Sequence, residues 1–169
     1  LGALEPSALA PRAARIRDAG VSILVLPATD LYLMGRNDAR NVRRGLAPVR
    51  YLLDAGVNVA VSTNNVQNPF TPFGDADLLR VANLLANAAH FGTADDLRRV
   101  LGMATENAAR ALRRADYGLV EGARADLVLL DCTEPAEAVG AIPERLCVIK
   151  NGAVSVTNRV ETTFARGRS

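Results

Sequence analysis

The sequence contains no tryptophan, and aromatic residues make up only 4% of its 169 residues. Apolar residues nevertheless account for 49% of the chain, so its core must be built from alanine, leucine and valine. A chain of this length forms one domain, or one domain with a small addition, and is long enough to bury a real core. The composition therefore predicts a globular fold that is poor in aromatic residues.

Histidine and cysteine, which supply many metal ligands and nucleophiles, are scarce. His90 is the single histidine, so a Ser-His-Asp triad and a histidine-based metal site both lack imidazoles. It ends a helical stretch, where its charge would suit a helix C-terminus. Cys132 and Cys147 have no CxxC spacing, which excludes a metal knuckle and a disulfide scaffold. We therefore expect a reduced, cytoplasmic protein.

An excess of charge of one sign is also lacking, because the formal net charge is +2. Arginine alternates with acidic residues in RRVLGMATENAARALRR, a pattern typical of a solvated helix face rather than a nucleic-acid-binding stripe. No aromatic residues interleave with these arginines, so single-strand binding has little support. No apolar run is long enough to span a membrane. We expect neither a nucleic-acid partner nor a membrane partner.

The first part of the chain alternates helical and strand patterns. The opening 20 residues and APVRYLLDAG (47–56) predict helices. VSILVLPATD (21–30) and NVAVSTNN (58–65) are apolar, β-branched runs, typical of strands buried on both faces. Residues 31–45 between them are a predicted loop. This order predicts βα units with a parallel sheet.

Three further helices are predicted after a proline-containing loop. DADLLRVANLLANAAHFG (75–92) has the pattern of an amphipathic helix. TADDLRRVLGMATENAARALRR (93–114) predicts a helical pair, in which Thr93 and Asp96 come close to a capping box. These helices complete an α/β part of the chain.

The character of the sequence changes at Tyr117. Two short strand runs follow, and the Asn151–Gly152 step is a hairpin signal between strands. We therefore predict two segments, an α/β part at 1–116 and a small β part at 117–169.

Asp30 is a candidate site residue because it ends the first predicted strand. The carboxyl ends of parallel strands are where α/β folds place their active groups, although Asp30 could equally cap the next turn. Arg36, Arg43 and Arg44 follow in the predicted loop. They could hold an anionic substrate group or a buried acid.

Three polar residues, Thr63, Asn64 and Asn65, occupy the matching position after the second predicted strand. Amide side chains carry both donors and acceptors, so they can bind a polar ring or an amide-like substrate. The two strand ends together predict a polar site at one edge of the sheet.

Four segments carry a pattern found in a known superfamily. MATENAARALRRADYGLVEGARADLVLLD (103–131) and AVGAIPERLCVIKNGAVSV (138–156) look like a closing helix and returning sandwich strands. LPATDLYLMGR (26–36) and NVAVSTNNVQNPFTPFGDADLL (58–79) look like two late barrel strands with their loops. Together they resemble the C-terminal part of the amidohydrolase superfamily, in its cytosine deaminase-like branch.

The resemblance implies an α/β fold, the C-terminal portion of a TIM (β/α)8 barrel followed by strands of a small β-sandwich. Residues 1–116 would hold barrel strands seven and eight and the closing helices, and 117–169 the sandwich strands. Such a barrel needs roughly 250 residues, so we expect a longer protein whose N-terminal barrel portion is a partner of this chain. A homo-oligomer is compatible with this reading.

The resemblance also implies chemistry. The complete protein would use a divalent metal, Zn or Fe, to activate a water that hydrolyses a C–N bond in a small nitrogen-heterocyclic substrate. The family's histidine ligands are absent from this chain, so we expect the chain alone to bind no metal and to be inactive.

Asn64 departs from the family pattern. It stands where the resemblance implies a metal-binding, catalytic aspartate, with Asn65 at the neighbouring substrate-contact position and Asp30 and Arg36 nearer the rim. An amide oxygen can bind a metal, but an amide cannot act as a base near neutral pH. Two alternatives to an enzyme stay open, a non-catalytic or metal-free binding protein that retains the fold and a self-standing α/β interaction domain.

Overall fold

The computed structural model describes residues 1–164 of the chain. The last five residues of the predicted 117–169 segment therefore lie outside the described part. The helices are α1 (Pro6–Asp18), α2 (Pro27–Leu33), α3 (Val49–Asp54), α4 (Leu78–Ala88), α5 (Ala94–Ala104), α6 (Glu106–Ala111) and α7 (Pro135–Gly140). The strands are β1 (Ile23–Val25), β2 (Val59–Val61), β3 (Leu127–Leu130), β4 (Arg145–Lys150) and β5 (Ala153–Thr157).

Strands β1 and β2 pair in parallel, as the alternating pattern predicts, with Ile23 opposite Val59 and Val25 opposite Val61. All of β2 is buried. In β1, however, Leu24 is 55% exposed. The prediction of burial on both faces is therefore right for β2 and wrong for β1, because no described element covers the side of β1 on which Leu24 lies.

The first strand is much shorter than predicted, and this changes the place of Asp30. Strand β1 ends at Val25 and helix α2 begins at Pro27. Proline has no amide hydrogen to lose and a backbone angle suited to the first helical turn, so Pro27 begins a helix where the apolar run suggested a continuing strand. Asp30 therefore lies inside α2, and the predicted loop at 31–45 is helical as far as Leu33.

The core lies between β2 and the helices that precede and follow it. Its fully buried large side chains come from α3, β2, α4, α5 and α7 and include Leu52, Val59, Leu85, Met103 and Val139. None is aromatic, as the composition predicts, and Phe91 is the one aromatic side chain in the buried cluster of the described residues.

Helix α5 begins with the predicted capping box. The Thr93 side chain accepts from the backbone N–H of Asp96, and the Asp96 carboxylate accepts from the N–H of Thr93. Asp96 is buried and also receives two hydrogen bonds from the Arg50 guanidinium, at 2.6 and 3.1 Å. That guanidinium stacks on Phe91, 4.3 Å from the ring centroid. One carboxylate thus joins the start of α5 to α3.

The tail forms an antiparallel sheet in the order β3-β4-β5. The predicted hairpin is confirmed, since Asn151 and Gly152 connect β4 to β5 with φ angles of 50° and 76°. Helix α7 was not predicted, and it buries Ala136, Ala138 and Val139 against α4 and α5. Its six residues are too few to show a helical period in the sequence, which is why the helix was missed. Because of this helix, the last third of the chain is not purely β.

Asp116 forms ion pairs with arginines on both sides of the predicted boundary between the two segments. Its carboxylate receives hydrogen bonds from Arg114 at 2.9 and 3.1 Å and from Arg124 at 3.2 Å. The Arg114 hydrogen bond is the main cause that lowers the pKa of Asp116 to about 2. Because the pKa is lowered by folding, this contribution is present above the ordinary value near 3.9 and is lost as pH falls toward 2.

We therefore expect the 114–126 segment to become moderately more open between about pH 4 and pH 2, because the Asp116 side chain is 43% exposed and solvent screens part of its interaction with Arg114. Limited digestion with pepsin, which is active over this range, should cut here faster in Asp116→Asn than in the wild type at pH 4. The difference between the two proteins should vanish near pH 2. A difference that persists unchanged at pH 2 would show that the carboxylate charge is not what holds the segment.

None of the helices in the described residues is long and apolar enough to cross a membrane.

Candidate functional site at the carboxyl ends of the parallel strands

The carboxyl ends of β1 and β2 lie side by side and bring two segments together. The N–H of Ser62, just after β2, donates to the carbonyl of Val25 at the end of β1 at 3.0 Å. Helix α2 follows β1, and residues 62–77, here called the rim loop, follow β2. Sequence reasoning placed the candidate site at this edge.

Asn64 forms the apex of a tight turn in the rim loop. The N–H of Asn65 donates to the carbonyl of Thr63 at 2.6 Å, and the Thr63 hydroxyl donates to the carbonyl of Asn65 at 2.9 Å. Asn64 has a φ of 55° and is exposed. This γ-turn geometry is strained for a residue with a Cβ, and such strain is concentrated at functional sites.

The Asn64 amide group makes no hydrogen bond to any residue between 1 and 164 that the structure describes. Its oxygen and nitrogen are therefore available to a ligand. An amide offers one acceptor oxygen and two N–H donors, and it carries no charge at neutral pH.

Asn65, by contrast, is bonded at both ends of its amide. Its Nδ2 donates to the Thr29 hydroxyl at 2.9 Å, and its Oδ1 accepts from Asn68 Nδ2 at 3.1 Å. Thr29 lies in the first turn of α2 and is buried. The side chain of Asn65 thus joins the rim loop to α2.

The hydrogen bonds around Asn65 form a series that continues toward the interior, and every donor in the series points the same way along it. The Thr71 hydroxyl donates to the carbonyl of Phe70 at 2.8 Å, so it can only accept from Thr29, whose hydroxyl lies 3.0 Å away. Thr29 in turn accepts from Asn65. Thr71 is 1% exposed, so the chain of bonds ends in the interior.

Asn68 shapes the middle of the rim loop. Its Oδ1 accepts from the N–H groups of Phe70 and Thr71, at 3.0 and 3.1 Å, and its backbone pairs with that of Thr71. Such a side-chain to backbone pattern folds a short turn without a sheet or helix. The Asn68–Pro69 step is a turn signal that sequence reasoning could have used.

Asp30 and Arg36 lie at the periphery of this arrangement. Burial raises the pKa of the Asp30 carboxyl above its ordinary value. The Arg36 guanidinium is exposed and lies 4.9 Å from the centroid of the Tyr32 ring, which meets Phe73 of the rim loop edge to face at 5.7 Å. The structure thus links Arg36 to the rim loop through Tyr32. No hydrogen bond joins Asp30 and Asn64, both of which lie in the described part of the chain.

Arg44 of the predicted loop points away from the rim loop, whereas Arg43 lines a shallow pocket together with Arg36. Arg44 donates to the carbonyl of Ala88 at the end of α4 and lies 3.4 Å from His90 Nε2. His90 follows α4 with a φ of 59° and is exposed. Its place beyond a helix C-terminus agrees with the sequence prediction.

A large open cleft lies away from the rim loop. Its volume is about 1020 Å³, and its lining includes Leu1, Met34, Arg43, Arg44 and Asp54. The four predicted site residues are not among those that line it. No three His, Cys, Asp or Glu side chains within the described range 1–164 come close enough together to hold a metal ion. The described residues alone therefore do not form a metal site, and Asn64 offers a single amide oxygen.

A model of the amidohydrolase family matches residues 1–168. The N-isopropylammelide isopropyl amidohydrolase of Pseudomonas sp. (strain ADP) is 36% identical over 114 residues, 67% of this chain and 28% of that protein. The crystal structure of 5-methylcytosine deaminase from Klebsiella pneumoniae, liganded with 5-fluorocytosine, superposes with a TM-score of 0.90 at 32% identity, covering 97% of this chain and 40% of that one.

A second similar structure contains a metal. The atrazine chlorohydrolase TrzN of Arthrobacter aurescens TC1, complexed with zinc, is 29% identical with a TM-score of 0.64 and matches 94% of this chain and 35% of that chain. The chain therefore spans between 28% and 40% of the length of these three proteins.

Proposed function

Because this chain belongs to the amidohydrolase family, we propose that it is the C-terminal part of an enzyme that hydrolyses a C–N bond in a small nitrogen-heterocyclic molecule. The observation that carries the proposal is the close superposition, at a TM-score of 0.90, on a 5-methylcytosine deaminase. The exposed Asn64 amide at the carboxyl ends of the two strands supports it from the geometry of the site.

We place β1 and β2 as the seventh and eighth strands of a TIM-type barrel and 117–169 as part of a small β-sandwich. Two observations support the barrel part. Strands β1 and β2 pair in parallel, and helices α3 and α4 come after β1 and β2 respectively in the chain. The antiparallel order β3-β4-β5 supports the sandwich part. The missing barrel strands would then come from an N-terminal portion of a longer protein.

The complete protein would contain a divalent metal, Zn or Fe, which when bound lowers the pKa of a water molecule so that it can attack a C–N centre. A zinc-containing relative supports this. Among residues 1–164 only the Asn64 oxygen would be offered, and we propose that other ligands come from the N-terminal portion. We derive the role of Asn64 from its own chemistry, since its amide can donate to or accept from a heterocycle but cannot take a proton.

Arg36 and Asp30 would lie farther from the reacting atoms. The Arg36 guanidinium, held on Tyr32 next to Phe73, presents a cation at the rim and would attract substrates with an electron-rich or anionic edge. Asn65 was predicted to contact the substrate. Its amide is already bonded at both ends, so a second role for Asn65 is to hold the rim loop in position. A cytoplasmic location and a homo-oligomer also remain proposals, the first supported by two cysteines that are free.

A second candidate function is favoured by Asn64 itself. Without a carboxylate at this position, the complete protein would bind a heterocycle without hydrolysing it. Turnover by the wild-type protein would exclude this candidate.

The test uses the complete protein, expressed with zinc or with iron and assayed for release of ammonia or amine. Cytosine, 5-methylcytosine and N-isopropylammelide form the substrate panel. We expect turnover of at least one compound and loss of it after metal removal by a chelator. Binding of these compounds by calorimetry without release of ammonia or amine would instead support the binding protein. Stoichiometric zinc on the 169-residue chain alone would contradict the proposed division of metal ligands.

A further inference from the structure

We propose that Asn65 and Thr29 are positioning residues that fix the Asn64 turn, and that the Asn65 amide does not contact the substrate. The inference rests on the proposed function, because it assigns roles within the same site. It separates two adjacent amides that look alike in the sequence.

The first argument is that the Asn65 amide is already in use. Its Nδ2 donates to Thr29 and its Oδ1 accepts from Asn68, and the residue is half-buried. A substrate that took either end would have to break one of these bonds. Asn64 is exposed and has both ends of its amide free among the described residues.

The second argument is that Thr29 is a firm anchor. It is 9% exposed and lies in the first turn of α2, and its hydroxyl both accepts from Asn65 and donates to Thr71. Replacing it with valine keeps the shape but leaves the Nδ2 donor of Asn65 without its partner, while the Thr71 hydroxyl keeps its bond to the carbonyl of Phe70. A half-buried amide donor without a partner is unfavourable, so the rim loop would move to pair it again.

The third argument connects Asn65 to the apex of the turn. Both backbone groups of Asn65 are bonded to Thr63, its N–H to the carbonyl at 2.6 Å and its carbonyl to the hydroxyl at 2.9 Å. Asn64 lies between these two residues, so a shift of Asn65 moves Asn64 with it. A displacement of about 1 Å at a reacting group can reduce a rate by as much as 100-fold.

The experiment measures kcat and KM for cytosine hydrolysis, or for the best compound of the panel, with five variants of the complete protein, one of them a control. Thr29→Val and Asn65→Leu should each lower kcat by about 10-fold or more, with KM within about twofold. The double variant should be no slower than the worse single variant, because both changes break one interaction. Thr29→Ser, which keeps the hydroxyl, should restore kcat to within about twofold.

Thr105→Val is the matched control. Thr105 is half-buried, and its hydroxyl lies 2.9 Å from the carbonyl of Leu101 and also contacts the Glu106 carboxylate, but it is at the junction of α5 and α6. This variant should keep kcat within about twofold of the wild type. A large loss of kcat in Thr105→Val would mean that loss of a threonine hydrogen bond acts through general instability.

A kcat unchanged in Thr29→Val, together with a KM raised about 10-fold in Asn65→Leu, would overturn the inference, because it indicates a direct substrate contact. If the wild type turns over nothing in the panel, the proposed function fails and amide hydrogen exchange decides the positioning role. The peptide covering 62–68 should then exchange about 10-fold faster in Thr29→Val than in Thr105→Val and the wild type. Equal exchange in all three would also overturn the inference.

Discussion

Replacing Asn64 by aspartate is expected to raise kcat/KM for hydrolysis of a C–N bond by the complete protein about 100-fold. An amide can position a substrate, but it cannot accept a proton, whereas an aspartate at the same apex can do so. The side chain is exposed and the backbone already holds the left-handed φ of 55°, which aspartate tolerates as well as asparagine does. The change therefore adds a base without altering the turn.

The measurement is the pH dependence of kcat/KM for wild type and variant. The variant should lose activity as pH falls toward about 4, where an exposed aspartate becomes protonated, and the wild type should not show this limb. Asn65→Asp is the control, since it adds the same charge one residue away on a side chain that faces Thr29. A gain of similar size in Asn65→Asp would indicate a general effect of charge and would contradict the role given to Asn64.

Replacing Asp96 by alanine is expected to lower the melting temperature of the complete protein by roughly 5 °C. The carboxylate receives two hydrogen bonds from Arg50 and two from the backbone N–H groups of Gly92 and Thr93. Its loss removes the carboxylate half of the α5 capping box and the link to α3 together, while the Thr93 side chain still accepts from the N–H of residue 96. Differential scanning fluorimetry at neutral pH measures the change.

Asp95 supplies the matched control, because it is the neighbouring aspartate but is 90% exposed and is paired only with Arg98. Asp95→Ala should change the melting temperature by no more than about 1 °C, as exposed ion pairs contribute little. Arg50→Ala should fall between the two, since Asp96 keeps its backbone donors. If Arg50→Ala proves as damaging as Asp96→Ala, the ion pair rather than the cap carries the stabilisation.

The Asp96 contribution also depends on pH. The Arg50 hydrogen bond is the main cause that holds the pKa of Asp96 well below its ordinary value. A pKa lowered by folding means that the stabilisation is fully present above about 4 and is lost as the carboxylate becomes protonated at lower pH. The melting temperatures of Asp96→Ala and wild type should therefore converge in strong acid.

Features that depend on neighbours in the sequence could be predicted. The cap at Thr93 and Asp96, the hairpin at Asn151 and the parallel strands all follow from local patterns, and the structure has each of them. The extent of the first strand could not, because Pro27 within an apolar run fits either a strand that bends or the first turn of a helix. The predicted position of Asp30, at the end of a strand, was wrong for that reason.

Contacts that join distant residues could not be predicted. Thr29 meets Asn65 across 36 positions and Thr71 across 42, and nothing near Thr29 in the sequence marks it as polar support for a loop. Arg36 was expected at the rim, but its link through Tyr32 and Phe73 depends on how α2 packs against the rim loop. The sequence could indicate where the polar groups lie. Only the three-dimensional structure shows which of these groups are already hydrogen-bonded to one another.

The one-way chain of hydrogen bonds from Asn68 to Phe70 has a consequence for how these positions change during evolution. With an aspartate at 65, the hydroxyls of Thr29 and Thr71 could rotate and run the chain in reverse, with Thr29 donating to the carboxylate and Thr71 donating to Thr29. Position 65 can therefore drift between amide and acid while the rim loop keeps its shape. At position 64 no described side chain is bonded to the amide, so an exchange between asparagine and aspartate there would leave the surrounding hydrogen bonds unchanged. Such an exchange would alter only the chemistry of the site.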